Sequence, residues 1–207
     1  MPGINLPYLL QAALMVVVLL FSVIVHEVAH GYVALLNGDP TARMLGRITL
    51  NPVPHIDPFG TILLPLLLYL AHLPVVGMAK PVPVNPLNFR NYRMGEFAVS
   101  AAGPASNLAL AVAFSVLLRL DLGNPGVMML AILGVKINIL LAVFNLIPIP
   151  PLDGSHILAI LLPRELARLY DHLQAVGFIL ILILFYTGIL GAIIIPLSRQ
   201  IEMLLLG

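Results

Sequence analysis

The chain has 207 residues, 60% hydrophobic and only 9% charged, against about 25% charged in ordinary soluble domains. That composition excludes a soluble globular enzyme and predicts an integral membrane protein, with one membrane domain over residues 1–207 because no polar stretch is long enough to fold apart. A net charge of +1 without a basic block argues against nucleic acid as a partner, and the absence of cysteine rules out disulfides and thiolate metal sites, leaving His, Asp and Glu as metal ligands.

The first apolar stretch runs from Leu6 to Leu36. As a helix its 31 residues reach about 46 Å, more than the roughly 30 Å of a bilayer core, so it must tilt or project. No lysine or arginine precedes it and it is too long for a cleaved signal, so a retained helix is expected. Asn37-Gly38-Asp39-Pro40 ends it. Inside it lies His26-Glu27-Val28-Ala29-His30. Histidines four apart share one helical face and can grip one metal ion. A glutamate between them is the usual base that takes a proton from metal-activated water. Polar groups at membrane depth are costly, so the cluster reads as a functional site; the competing reading is a packed histidine pair.

Arg43 to Leu50 alternates weakly and carries β-branched residues, which predicts a short cytosolic strand whose edge could hold an extended peptide. The second stretch, Phe59 to Met78, is flanked and split by prolines. It either spans or re-enters. If it returns to the side it left and the N-terminus is outside, Arg43, Arg47, Lys80, Arg90, Arg93, Arg164 and Arg168 are cytoplasmic and only Arg119 and Arg199 are not. A full span leaves almost no bias, so the positive-inside rule favours re-entry. His55 and Asp57, at its entrance, could line the site mouth or hold the metal in a closed state, or serve as a turn donor and an N-cap.

Gly95 to Leu118 forms the third stretch, with Gly103-Pro104-Ala105-Ser106-Asn107 near its start. Gly103 and His26 lie at similar depth if both helices meet the same surface. Small residues here fit close helix packing, and a direct role for Asn107 stands equally open. Val127 to Ile147 is the fourth stretch. Lys136 sits in its middle, on the face opposite Asn145, and has no catalytic reading. Pro148, Pro150 and Pro151 then forbid a regular helix before Asp153-Gly154. Asp153 is expected as third metal ligand beside His26 and His30; the alternative is a cap on a helix starting near Ser155. His156 reads as second-layer or interfacial, His72 and His172 as interfacial. Leu173 to Leu197 is the fifth stretch. The fold expected is an all-α polytopic membrane protein with four to six membrane segments, one of them re-entrant, and a short cytosolic β element.

HEVAH, AAGPASN and NLIPIPPLDG together resemble the site-2 protease family of intramembrane zinc metalloproteases, over His26 to Gly154. The resemblance implies one Zn²⁺ held by His26, His30 and Asp153, Glu27 as base, and a polar helper at Asn145, eight residues before Asp153. It implies cleavage in or near the transmembrane helix of membrane-protein substrates, in the cell membrane, with the site toward the cytoplasm. The segment from Asn51 to Pro81 looks like the compact branch, with no PDZ insertion or CBS domain. Substrate choice then falls to the membrane core, a regulatory partner or a homo-oligomer. The rivals are a non-catalytic metal-binding scaffold or transporter, and a membrane protease with glutamate as third ligand. For the latter, Glu96, Glu165 and Glu202 sit in no second metal motif.

Overall fold

The computed structural model describes residues 6–70, 77, 79–120, 122–171 and 173–207. They form helices α1 (Leu6–Leu36), α2 (Thr41–Met44), α3 (Leu64–Leu70), α4 (Tyr92–Arg119), α5 (Pro125–Asn145), α6 (Asp153–Leu161), α7 (Arg164–Asp171), α8 (Gln174–Tyr186) and α9 (Ile189–Leu206), with a π-helical turn at Pro58–Leu63 leading into α3. Four of them, α1, α4, α5 and α9, are long and apolar enough to cross a membrane.

Local chemistry sets the boundaries. Asn91 caps α4 by accepting from the Met94 N–H, and Asn124 caps α5 with Pro125 in the first helical position. Gly188, at φ +78°, turns the chain between α8 and α9. The fifth apolar stretch, expected as one segment ending at Leu197, is therefore two helices, and the second continues to Leu206. A side chain at Gly134 would collide with the Phe114 ring, so α4 and α5 approach closely there.

The main core joins α4, α5, α8 and α9 through Ala111, Val135, Ile139, Ile181, Leu190 and Ile194. Lipid is as apolar as these side chains, so van der Waals packing and interhelical hydrogen bonds, each about 0.6 kcal/mol, hold the bundle. One polar seam is fully buried: Asn138 Nδ2 donates to Ser22 Oγ at 2.9 Å, and Asn107 Nδ2 donates to Asn138 Oδ1 at 2.9 Å. It ties α1, α4 and α5 together.

The end of α1 meets the start of α4, where Arg90 N–H donates to Asn37 O at 2.9 Å. The chain that leaves at His55 comes back at Lys80, whose N–H donates to His55 O at 2.9 Å. Of the intervening apolar stretch, the helical run Pro58–Leu70 is described; residues 71–76 and 78, with His72, lie outside the described residues, as does His172.

The expected strand over 43–50 does not form, and no strand occurs among the described residues. Gly46 turns the chain at φ +65° directly after α2, and Arg47 N–H bonds back to Ala42 O. The Arg47 guanidinium is drawn to the carbonyls of Lys80 (2.8 Å) and Pro81 (3.2 Å). This side-chain anchoring to the returning segment replaces a backbone ladder.

Asp39 fixes the corner after α1. It accepts from Thr41 N–H and Oγ–H, from Asn88 Nδ2 at 2.7 Å and from Asn85 N–H at 2.7 Å. Burial pushes its carboxyl up, but the hydrogen bonds from Thr41, Asn85 and Asn88 prevail and hold it below its ordinary 3.8. A depressed folded pKa gives stability that is present above the unfolded value and lost as pH falls through the folded one. Thermal melts in detergent should therefore show a falling midpoint below pH ~4, and Asp39→Asn should flatten that acid limb while lowering the midpoint at neutral pH.

Candidate metal centre

On α1, His26 and His30 point the same way, as residues one turn apart must, and their rings meet edge to face with centroids 4.6 Å apart. Both are buried. His26 Nδ1–H donates to Asn107 Oδ1 at 2.7 Å, and His30 Nδ1–H donates to Val99 O at 2.7 Å. A carbonyl can only accept, so His30 carries its proton on Nδ1. The Asn107 amide spends its NH₂ on Ser22 O and Asn138 Oδ1, which turns its oxygen to His26. Both rings thus turn Nε2 inward, the atom whose lone pair a metal would take once the ring is neutral.

Asp153 arrives from the other end of the chain. The cis Pro150–Pro151 bond lies in the loop before it, and Leu152, not Asp153, is the N-cap residue of α6. No side-chain capping bond is made there, so the Asp153 carboxylate is free to face the histidines. Its Oδ2 lies 3.2 Å from His26 Nε2 and its Oδ1 3.4 Å from His30 Nε2. Gly154 and Gly103 make the approach possible. A Cβ on Gly154 would strike the Leu146 carbonyl, and one on Gly103 would occupy the space of both imidazoles.

The donor set fits a zinc ion. Two Nε2 atoms stand 3.0 Å apart and face a carboxylate, a convergence of nitrogen and oxygen donors that one cation would satisfy. Asp153 Oδ2 is buried with no hydrogen-bond partner. Tetrahedral zinc with Zn–N of about 2.0–2.1 Å puts ligand atoms about 3.3 Å apart, close to the spacings here. His26, His30 and Asp153 are a group able to hold a metal among the described residues.

Glu27 accepts from the Val82 N–H through Oε2 at 2.8 Å, so the returning segment lies against the HEVAH turn. The Val82 side chain packs where a Cβ on Gly31 would go. Asn145 Nδ2 donates to Leu141 O within α5 at 2.9 Å. His55 is buried and donates from Nε2 to Thr49 O at 2.9 Å, while Asp57 caps the π-turn by accepting from Phe59 and Gly60 N–H. Both therefore serve local structure. His156 pairs with Glu96 at 3.2 Å; that carboxylate raises its pKa above the usual value against the opposing effect of burial. The pair lines a cavity of about 500 Å³ with Tyr92, Ser155, Tyr170 and Gln174, beside the helix that carries Asp153.

The seam residues Ser22 and Asn138 escaped the sequence reading. Their signal was available: Ser22 is one turn before His26, and Asn138 is an amide in mid-span.

The profile of peptidase family M50 matches residues 14–123 and 119–184. The chain belongs to that family. It is similar to the Bacillus subtilis (strain 168) protein named "Putative zinc metalloprotease YwhC", 39% identical over 93% of this chain and 86% of the relative. Proteins named "Putative zinc metalloprotease Rip2" match at 31% in Mycolicibacterium smegmatis, over 83% of this chain and 66% of the relative, and at 32% in Mycobacterium tuberculosis strain H37Rv, over 80% and 64%. No solved structure matches. This M50 peptidase is thus a membrane-embedded metalloendopeptidase, and zinc is the metal its family implies.

Outer-layer partners of zinc histidines typically change metal affinity 10- to 100-fold. Asn107→Ala removes the acceptor that fixes the His26 tautomer. Competition titration with a chelator should show zinc affinity reduced by that factor.

Proposed function

We propose that this M50 peptidase hydrolyses peptide bonds in or near the transmembrane helix of membrane-protein substrates. The observation that carries the reading is placement within a helix long and apolar enough to cross a membrane. His26 and His30 lie ten and six residues from its end, about 15 and 9 Å along it, and Asp153 meets them there. A site built for soluble peptides gains nothing from that burial.

His26, His30 and Asp153 are the ligands in this reading. When bound, zinc lowers the pKa of water toward about 7 and polarises the scissile carbonyl. Glu27, held by the Val82 N–H, takes the water proton and delivers it to the leaving amine. Asn145 has a second amide N–H beyond the one given to Leu141, and that donor serves the developing oxyanion. A substrate helix hides its carbonyls in its own hydrogen bonds and must unwind locally before attack.

The stretch 59–78 is a re-entrant segment in this reading. The His55–Lys80 and Asn37–Arg90 backbone bonds support it, because both ends of the excursion lie together. The seven-to-two distribution of lysine and arginine supports a cytoplasmic site in the cell membrane. One domain over 1–207 suffices for the chemistry, and substrate choice rests on the membrane core or a partner.

The test is reconstitution in liposomes with single-span substrates. One zinc per chain, cleavage inside or at the edge of the span, loss with a zinc chelator and recovery with added zinc are expected. Cleavage that survives complete zinc removal, or cutting restricted to water-soluble peptides, would overturn the proposal.

A further inference from the structure

Lys136 is the twelfth of 21 residues in α5. It lies about 16 Å from the Pro125 end and about 14 Å from the Asn145 end. Its side chain is exposed, on the face that α1, α4 and α9 leave uncovered, while Val135, Ile137, Asn138 and Ile139 around it are buried. Leu140, one turn on, is exposed too, while Ile132 and Leu133, one turn before, are half-buried. No hydrogen bond or ion pair reaches the ammonium among the described residues. A lysine stem of roughly 6 Å cannot carry it to either membrane surface. An uncompensated charge there lowers insertion by a factor of about a hundred, and mid-span ionisable groups pair with one another.

Among the described residues no carboxylate pairs with Lys136; Asp153, which reaches membrane depth from α6, faces His26 and His30. The acids in its candidate spans are Glu27, Glu96 and Glu202. Glu27 is bound to Val82 and Glu96 to His156. Glu202 is four residues from the end of α9, whose Leu205 carbonyl bonds Ser115 and Arg119 at the end of α4. It therefore sits about 10 Å closer to that surface than Lys136. In a second copy the acid at the level of Lys136 is Glu27, which is turned inward to the Val82 N–H, and a two-fold contact centred on α5 would set lysine against lysine.

We infer that the Lys136 face of α5 docks the transmembrane helix of a different membrane protein that carries a carboxylate near its middle. The partner is not a substrate. Asn138, two residues on, turns toward Asn107 and His26, so an occupant of the Lys136 face lies on the far side of α5 from the metal centre. The inference stands on charge and depth alone, independently of the peptidase reading.

Because the chain lacks cysteine, Leu140→Cys gives a single reporter on that face. The full chain is reconstituted in liposomes with a synthetic Leu/Ala helix bearing a central Glu and an adjacent Cys, and joined with a short bismaleimide. Crosslinking should exceed that of a central-Leu probe about tenfold, the worth of one good interhelical polar contact. Lys136→Met should bring the Glu probe down to the Leu level with zinc content unchanged, and Lys136→Glu should restore crosslinking with a central-Lys probe. Three results would overturn the inference: equal crosslinking of Glu and Leu probes, a yield indifferent to Lys136→Met, or chain-to-chain crosslinks that outcompete the Glu probe. Cleavage of the bound Glu probe would count against it as well, since the face would then serve substrate.

Discussion

Glu27→Gln is expected to keep one zinc per chain and to lower cleavage about a hundredfold to ten-thousandfold, the range for loss of a positioned general base. The substitution separates two roles. Glu27 Oε2 anchors the returning segment through the Val82 N–H. Glutamine keeps an acceptor oxygen of the same reach, so that anchor persists and the segment stays in place. What glutamine lacks is a carboxylate able to take a proton. The group able to hold a metal is His26, His30 and Asp153, and Glu27 is not in it, so zinc should remain. Cleavage by this variant within a few-fold of wild type would show that Glu27 is an anchor only, and the proposed proton path would fall with it.

Much of the centre was legible because helical geometry is local. Two histidines four apart fix a shared face whatever the rest of the fold does, and α1 runs over Leu6–Leu36 as the apolar run implies. Asp153 was harder. A residue after three prolines reads by itself as a cap, and it is HEVAH that makes ligation the expected role; Leu152 in the N-cap position and the carboxylate turned to His26 and His30 favour that expectation. Asn107 needed tertiary depth: its amide is useful because α4 starts where α1 ends. The missed strand has the opposite lesson. Weak alternation over Arg43 to Leu50 was outweighed by a glycine at positive φ and by an arginine that found carbonyls across the chain. Lys136 was visible as an oddity at once, but its meaning required knowing which face of α5 is left bare.

Asp153→Ala is expected to lose both the metal and the activity. Three donor atoms converge here, and the two that remain are Nε2 atoms 3.0 Å apart with the third arm gone. Two neutral imidazoles without the carboxylate make an incomplete set for a site that normally supplies three protein ligands. Zinc content should fall below a tenth of an equivalent per chain, and cleavage should fall to background. The helix should survive. Asp153 makes no side-chain capping bond, and α6 begins after Leu152 regardless. The metal-free variant should therefore melt close to metal-free wild type. A cap would behave differently: its loss costs about 1 kcal/mol of stability and leaves the metal alone. A variant that keeps zinc but melts early would thus move Asp153 from ligand to cap, and would remove the third arm on which the centre is built.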